Sequence, residues 1–250
     1  MVLSEYLQGA AFGCNYKSGQ SGRAIRYNTR FSRDKRYCSM RSLIRTGDLF
    51  GSEFCYKRIP RELDKFDDEA YDNNPMEFYV VCTDIESGET VYKSCPKSDE
   101  TMLEYIRASA SLPLVSNIVE IDGKKLLDGG ITDSVPLKYF ESIGYEHNVV
   151  ILTQPKSYVK SPNKIIPIIK RKYKMYPKLI KAMENRHLVY NQTLEYISYK
   201  EASGDALVIR PNEKLPIGRI EHNPDTMRAV YELGRKAGTE SLEKIREFLK

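Results

Sequence analysis

The stretch RASASLPLVSNIVEIDGKKLLDGGITDSVPL, residues 107–137, decides how the rest of the chain is interpreted. Asp128 follows two leucines at the end of an apolar run and precedes Gly129 and Gly130. Glycine loses more backbone freedom on folding than any other residue, so the pair predicts unusual backbone angles or a close approach of another segment. A carboxylate beside a core also needs donors or a charged partner, because an unpaired buried charge is costly.

Local chemistry allows two interpretations of Asp128. It could be a catalytic carboxylate on a tight turn that orients or activates a nucleophile held elsewhere. It could equally end an ordinary strand-to-helix turn and accept backbone N–H groups, as in an Asx-turn. Because Asp-Gly is among the commonest turn signals, the residues alone favour the ordinary turn.

The composition predicts a globular protein with one sizeable core. The chain has 250 residues, of which 41% are hydrophobic and 29% charged, and its net charge is +5. This charge is only a mild bias toward anionic partners. No run of about 18 apolar residues is present, and the N-terminus lacks the basic region of a signal peptide, so we expect no membrane span and no secretion.

The cysteines and histidines favour a reducing compartment. The five cysteines are Cys14, Cys38, Cys55, Cys82 and Cys95. Because they are odd in number, scattered and without a CxxC pair, neither a disulfide framework nor a zinc site is expected. The histidines, at positions 147, 187 and 222, lie far apart in the sequence. We therefore expect a cytoplasmic protein without metal or cofactor.

Strands and helices alternate along most of the chain, which predicts an α/β architecture. Residues 78–84 predict a strand with a hairpin partner at 90–93, and the Asp-Gly pair at 122–123 predicts the turn of a second hairpin. Unalternating apolar runs at 148–153 and 206–211 predict buried strands.

Capping residues predict where several helices begin. Ser98 is expected to cap a helix that Pro113 ends. Ser134 and Pro136 should open another, Asn185 should cap a long helix to about residue 202, and Asn223-Pro224 should start the final one.

Two basic stretches bear on possible partners. Residues 9–37 become strongly basic from Arg23 onward, but no nucleic-acid-binding motif accompanies the charge, so we expect a solvated face and no nucleic-acid partner. Residues 156–181 contain nine Lys or Arg and no acid, together with several isoleucines. This segment could lie on an anionic membrane surface, or form two short helices that bury their isoleucines on the core.

With these elements in place, the chain resembles the patatin-like phospholipase family, in particular its bacterial cytosolic branch. The resemblance covers nearly all of the chain from Gly9 onward. It rests on Asp128-Gly-Gly and on four further stretches, which are Arg107–Ser109 with Pro113, the strand 149–153, residues 185–187 and residues 210–211. It implies a three-layer α/β/α hydrolase fold with a mixed, mainly parallel central sheet.

The resemblance also implies a chemistry. The family hydrolyses lipid or phospholipid acyl esters with a Ser–Asp dyad and no histidine. Asp128 would be the base of that dyad, with Gly129 and Gly130 shaping its turn. The residues near the acyl pocket would be Arg107, Ser109 and Pro113.

The nucleophile half of the dyad is where the chain departs from the family. Residues 9–13 align with the segment immediately after a GxSxG elbow, which places Glu5 at the first elbow glycine and Leu7 at the nucleophile. Leu7 has no nucleophilic atom, Ser4 lacks the flanking glycines, and the oxyanion loop is missing. We therefore expect an N-terminally truncated member that lacks its first strands and is inactive or nearly so.

One patatin-like domain over residues 1–250 is expected, with residues 156–250 as a helical extension packed on it. Strand edges left unpaired by the missing segment predict self-association. The alternative function is that of a non-catalytic protein that binds lipid or a membrane surface.

Overall fold

The computed structural model describes the backbone of Val2–Ser4 and all atoms of residues 9–218 and 220–250. In chain order the strands are β1 (Val2–Ser4), β2 (Tyr79–Asp84), β3 (Thr90–Ser94), β4 (Val119–Ile121), β5 (Lys124–Asp128), β6 (Asn148–Ile151) and β7 (Ala206–Ile209). The helices are α1 (Gly9–Lys17), α2 (Arg23–Phe31), α3 (Met40–Thr46), α4 (Asp68–Asn73), α5 (Glu100–Ser109), α6 (Leu137–Ser142), α7 (Ile166–Lys172), α8 (Pro177–Ser203), α9 (Pro224–Glu240) and α10 (Leu242–Phe248). A π-helical segment spans Phe54–Leu63, and a 3-10 turn spans Gly129–Ile131.

Within the described residues these strands form two sheets. Strands β1, β6 and β7 form a parallel sheet with β6 in the middle, and the other four form an antiparallel sheet in the order β3-β2-β5-β4. The α/β class is therefore confirmed, whereas the mainly parallel arrangement is found in the smaller sheet only. Short turns join β2 to β3 and β4 to β5, and such connections require antiparallel neighbours.

The antiparallel sheet lies between two helical layers. Strand β5 buries Leu126 against α5, in a cluster that includes Met102 and Ile106. The next residue, Leu127, points to the opposite face and packs with residues of α7 and α8. This alternation follows from the two-residue period of a strand, and it produces a helix–sheet–helix arrangement around Asp128.

Both predicted hairpins are present. Strand β2 pairs with β3, and β4 pairs with β5 in the register Ile121↔Lys124. Asp122 and Gly123 have φ values of 52° and 71°. Two consecutive left-handed residues are what a two-residue type I′ turn needs, which is why Asp-Gly predicted it correctly.

Two predicted helix starts are wrong. The cap of α5 is Asp99, whose carboxylate accepts from the backbone N–H of Met102, while the Ser98 hydroxyl donates to Asp72. Helix α8 begins at Pro177 and runs through Asn185, since proline suits a first helical position. The cap at Asn223 is confirmed, because its side chain accepts from the N–H of Asp225.

The basic stretch of residues 9–37 is only partly a solvated face. Arg23 is 4% exposed, and its guanidinium donates to the carbonyl oxygen of Asp64 and to the Asn15 side chain. Arg26 forms two hydrogen bonds of 2.8 and 2.7 Å with the Asp64 carboxylate. The expectation of a solvated face is therefore wrong for Arg23, because an acid distant in sequence neutralises it.

Of the residues described, no helix combines the length and the apolar character that crossing a membrane requires.

Candidate active site around Asp128

Asp128 is the last residue of β5 and is fixed by its backbone on both sides. Its N–H donates to the carbonyl oxygen of Ser111 over 2.9 Å, just after the end of α5. Its own carbonyl oxygen accepts from the Thr83 hydroxyl over 2.8 Å. That hydroxyl also lies 2.9 Å from the hydroxyl of Thr132. The backbone position of Asp128 is therefore set by β2, by the end of α5 and by the 3-10 turn after it.

The carboxyl group of Asp128 forms an Asx-turn. The N–H of Gly130 donates to Asp128 Oδ1 over 2.7 Å, and the side chain caps the 3-10 turn. The ordinary-turn interpretation of the local sequence is thus correct as far as geometry goes. It does not exclude a chemical role, because the same bond holds the carboxyl group in one orientation.

The close approach of the neighbouring strand explains why residue 129 is a glycine. A Cβ at this position would lie 2.3 Å from the carbonyl oxygen of Val81 on the neighbouring strand. The predicted close approach is therefore present, and the backbone angles of Gly129 and Gly130 are not left-handed. At Gly130 a Cβ would meet Asp128 Oδ1 at 3.1 Å, a tighter contact than most side chains make.

Burial dominates the electrostatics of Asp128. The residue is 5% exposed, and removal from water raises the pKa of its carboxyl group from 3.8 to about 6. The Gly130 N–H and the positive charges of Arg186 and Lys160 act in the opposite direction and lower the pKa. A carboxyl group with a pKa near 6 is ionised at neutral pH and is still basic enough to accept a proton.

Arg186 on α8 reaches the turn from the opposite helical layer. Its Nε donates to the carbonyl oxygen of Gly130 over 2.6 Å, and the Ser134 hydroxyl donates to the same oxygen over 3.0 Å. The sequence places residues 185–187 among those that carry the resemblance, but no local signal relates Arg186 to Gly130, which lies 56 positions earlier.

The remaining predicted pocket residues lie at the end of α5. Arg107 is bound to Glu104 of the same helix, with Nε 3.0 Å from the carboxylate, Ser109 is the last helical residue, and Pro113 is buried. Ser111, rather than Ser109, makes the backbone bond to Asp128. Sequence analysis missed Ser111, Thr83 and Thr132, because hydroxyl residues that bond a distant backbone carry no local pattern.

The proposed elbow, including Glu5 and Leu7, lies outside the described residues, and of Ser4 only the backbone is described. The elements on either side of it are a parallel strand, β1, and a helix, α1, which starts at Gly9. A nucleophile elbow is a turn from a strand into a helix. The alignment that places Leu7 at the nucleophile position therefore stays a prediction.

No group of three or more His, Cys, Asp or Glu side chains among the described residues is arranged to hold a metal ion.

Comparison with known proteins finds two family models that match parts of the chain. Residues 9–141, just over half of the chain, match the family of patatin-like phospholipases. Residues 176–250 match a domain of unknown function, DUF6363. The chain is also 22% identical over 254 residues to "Uncharacterized protein YjjU" of Escherichia coli (strain K12), a match that covers 96% of this chain and 67% of that protein.

Proposed function

The chain belongs to the patatin-like phospholipase family, and we propose that it is an acyl-ester hydrolase homologue in which Asp128 is the general base of a Ser–Asp dyad. The observation that carries the proposal is the carboxyl group of Asp128, which is buried, oriented by the Gly130 N–H and has a pKa raised to about 6. The substrates would be acyl esters of lipids or phospholipids, and the process would be lipid degradation.

In the proposed chemistry a serine hydroxyl attacks the acyl carbonyl carbon while its proton passes to the Asp128 carboxylate. The protonated carboxyl group then donates this proton to the departing alkoxide. Water then attacks the acyl-enzyme and passes a proton to the Asp128 carboxylate. Asp128 returns this proton to the serine oxygen as the acyl group departs. A base with a pKa near 6 suits both transfers at neutral pH.

This chain carries Leu7 where the dyad needs serine, so we propose that it is inactive or nearly so as it stands. A base accelerates the reaction only when a nucleophile is present for it to activate. The hydroxyl residues Thr83, Thr132 and Ser134 near Asp128 bond backbone or one another. They support the turn, and we assign none of them the nucleophile's role.

The test is hydrolysis of p-nitrophenyl butyrate by the parent chain, by Asp128→Ala, by Leu7→Ser and by Leu7→Ser combined with Asp128→Ala. We expect no turnover by the parent, only weak turnover by Leu7→Ser because Glu5 still occupies the position of the first elbow glycine, and loss of that gain in the double variant. Turnover by the parent that Asp128→Ala abolishes would show that another side chain is the nucleophile. Turnover by Leu7→Ser that survives Asp128→Ala would contradict the base role.

A second candidate function is binding to lipid or to an anionic membrane surface without turnover. It is favoured by residues 156–181, which carry nine basic residues and no acid. Silence of all the ester assays, together with salt-sensitive binding to anionic vesicles, would select this function over hydrolysis.

We also infer a cytoplasmic, reducing location. It is supported by the five free cysteines, of which four are buried. Burial raises the pKa of the Cys14 thiol to about 12, so this side chain is not a reactive thiolate at neutral pH.

A further inference from the structure

Helix α7, the two residues before it and the link to α8 carry an outward face. We call it the α7 surface, and it consists of Lys164, Ile165, Ile168, Arg171, Lys172 and Met175. The opposite side of this segment is anchored in the core. Ile169 is fully buried and Tyr173 is 3% exposed, and the Tyr173 hydroxyl accepts from the backbone N–H of Leu114. The orientation of α7 is therefore set by burial, and the direction in which its outer residues point is fixed.

The α7 surface exposes aliphatic side chains in a strongly basic setting. The exposed fractions are 43% for Ile165, 57% for Ile168 and 76% for Met175. Lys164, Arg171 and Lys172 are exposed around them. The packing interpretation of this segment holds for Ile169, whereas Ile165 and Ile168 face outward.

We propose that the α7 surface docks on an anionic lipid bilayer, with Ile165, Ile168 and Met175 entering the interface and the basic residues contacting lipid phosphates. Charge complementarity carries the choice of partner, since residues 156–181 contain no acid. In that segment Lys170 is paired with Glu184 of α8 over 2.6 Å, so the α7 surface keeps its positive excess on the outer side.

The aliphatic character of the exposed side chains favours a bilayer over a nucleic acid as the binding partner. Proteins that bind single-stranded nucleic acids combine basic residues with aromatic side chains on which bases stack. The exposed apolar members of the α7 surface are two isoleucines and one methionine, which partition into an interface but offer no stacking plane. The arrangement therefore fits the acyl boundary of a membrane better than a polynucleotide.

Docking by this face would place α7 between the bilayer and the Asp128 turn. The buried side of α7 packs with Leu127, which precedes Asp128, and with Ile131, which comes after the two glycines. This proposal deepens the second candidate function and rests on a lipid partner. It does not require turnover, so it can fail or succeed independently of the dyad.

The experiment is co-sedimentation with vesicles of phosphatidylcholine, with and without phosphatidylserine, at low and at physiological salt. We expect binding only to the anionic vesicles, and weaker binding as salt rises. Arg171→Glu should weaken binding about tenfold or more, because each basic residue near an anionic surface contributes severalfold to affinity. Ile168→Asp should weaken it as well, since the side chain can no longer enter the interface.

Matched variants elsewhere on the protein are the controls. Arg235→Glu on α9 makes the same charge change, and Ile44→Asp on α3 replaces an isoleucine that is 81% exposed. Both should bind as the parent does, with all variants showing the parent's circular dichroism and melting temperature. Equal weakening by Arg235→Glu would reduce the effect to net charge and overturn the proposal.

Three other results would also overturn it. The first is absence of binding to anionic vesicles, and the second is full binding by Ile168→Asp, which would exclude insertion. The third is Arg171-dependent binding of a single-stranded oligonucleotide in place of vesicles. The ester assays with Leu7→Ser use a soluble ester, so failure of the dyad would appear there and leave the vesicle result unchanged.

Discussion

Asp128 has a structural role in its turn, and the same hydrogen bond would serve the chemical role that we propose for it. The Gly130 N–H that completes the Asx-turn also holds Oδ1 in place, and the residue is only 5% exposed. An aspartate needed only for the turn could accept the same hydrogen bond while its carboxyl group remained exposed to solvent. Burial of an ionisable group lowers the stability of the fold, and active sites contain such groups because catalysis needs their shifted pKa values.

Because Asp128 is buried, the free energy of unfolding should depend on pH. Because the pKa of Asp128 is raised from 3.8 to about 6, the folded protein binds this proton more tightly than the unfolded chain. The resulting stabilisation is complete below about pH 4 and is lost as the pH rises through about 6. At neutral pH the ionised group then costs up to about 3 kcal/mol relative to acid conditions.

Asp128→Asn should therefore raise the melting temperature at pH 7 and give no advantage below about pH 4. Asparagine keeps an oxygen that accepts from the Gly130 N–H but does not titrate. The measurement is the melting temperature of both proteins across this pH range. An asparagine variant less stable than the parent at pH 7 would show that the carboxylate finds compensation in the folded state.

Gly129 should tolerate no side chain. In Gly129→Ala the new Cβ would meet the Val81 carbonyl oxygen at 2.3 Å, and both atoms belong to backbones that the sheet holds in place. We expect a loss of about 3 kcal/mol or more in the free energy of unfolding, measured in urea. The control is Gly238→Ala in α9, where nothing lies within 4 Å, and which should gain about 0.5–1 kcal/mol.

At the scale of elements, α8 completes the site that β5 begins. Arg186 donates to the Gly130 carbonyl oxygen, and its charge, after burial and the Gly130 N–H, acts on the pKa of Asp128. Removing it should loosen the turn and raise the pKa further. The helix thus contributes to the candidate site without supplying a reacting group.

Arg186→Gln should lower the free energy of unfolding by about 1–3 kcal/mol, the range for a hydrogen bond made by a charged group. It should also raise the pKa of Asp128, followed by carbon-13 NMR of its carboxyl group. Lys181→Gln is the control, since Lys181 is exposed on the same helix. A pKa unchanged in Arg186→Gln would mean that the arginine supports α8 packing and not the carboxyl group.

Elements are predictable from sequence where local geometry determines them. Asp122-Gly123 defines a hairpin by its two left-handed residues, and Asn223-Pro224 marks a helix start by its cap. The prediction of a helix start at Asn185 is wrong because a capping residue in mid-helix has no local signature that distinguishes it. The Arg186–Gly130 contact depends on packing between layers, and no spacing within either stretch encodes it.

At the scale of the whole molecule, the two regions that match different families share one core. Leu127 and Ile131 of the patatin-like region pack with Leu179 and Met183 of the C-terminal region. A second contact is made at the other end of the chain, where His222 Nδ1 lies 2.7 Å from the carbonyl oxygen of Ser32. These contacts support the sequence-based prediction that residues 156–250 are an extension of a single domain.

A single domain should unfold in one transition. Hydrogen exchange at increasing urea should therefore expose α5 and α8 at the same denaturant concentration, because the layer between them cannot keep its apolar faces buried alone. Loss of protection in α8 well before α5 would instead define the C-terminal region as a separate unit.

Melting at several protein concentrations tests the predicted self-association, since association of folded chains raises the melting temperature with concentration. The outer strands β1 and β7 of the parallel sheet, each paired with β6 on one side, are where we expect such contacts to form.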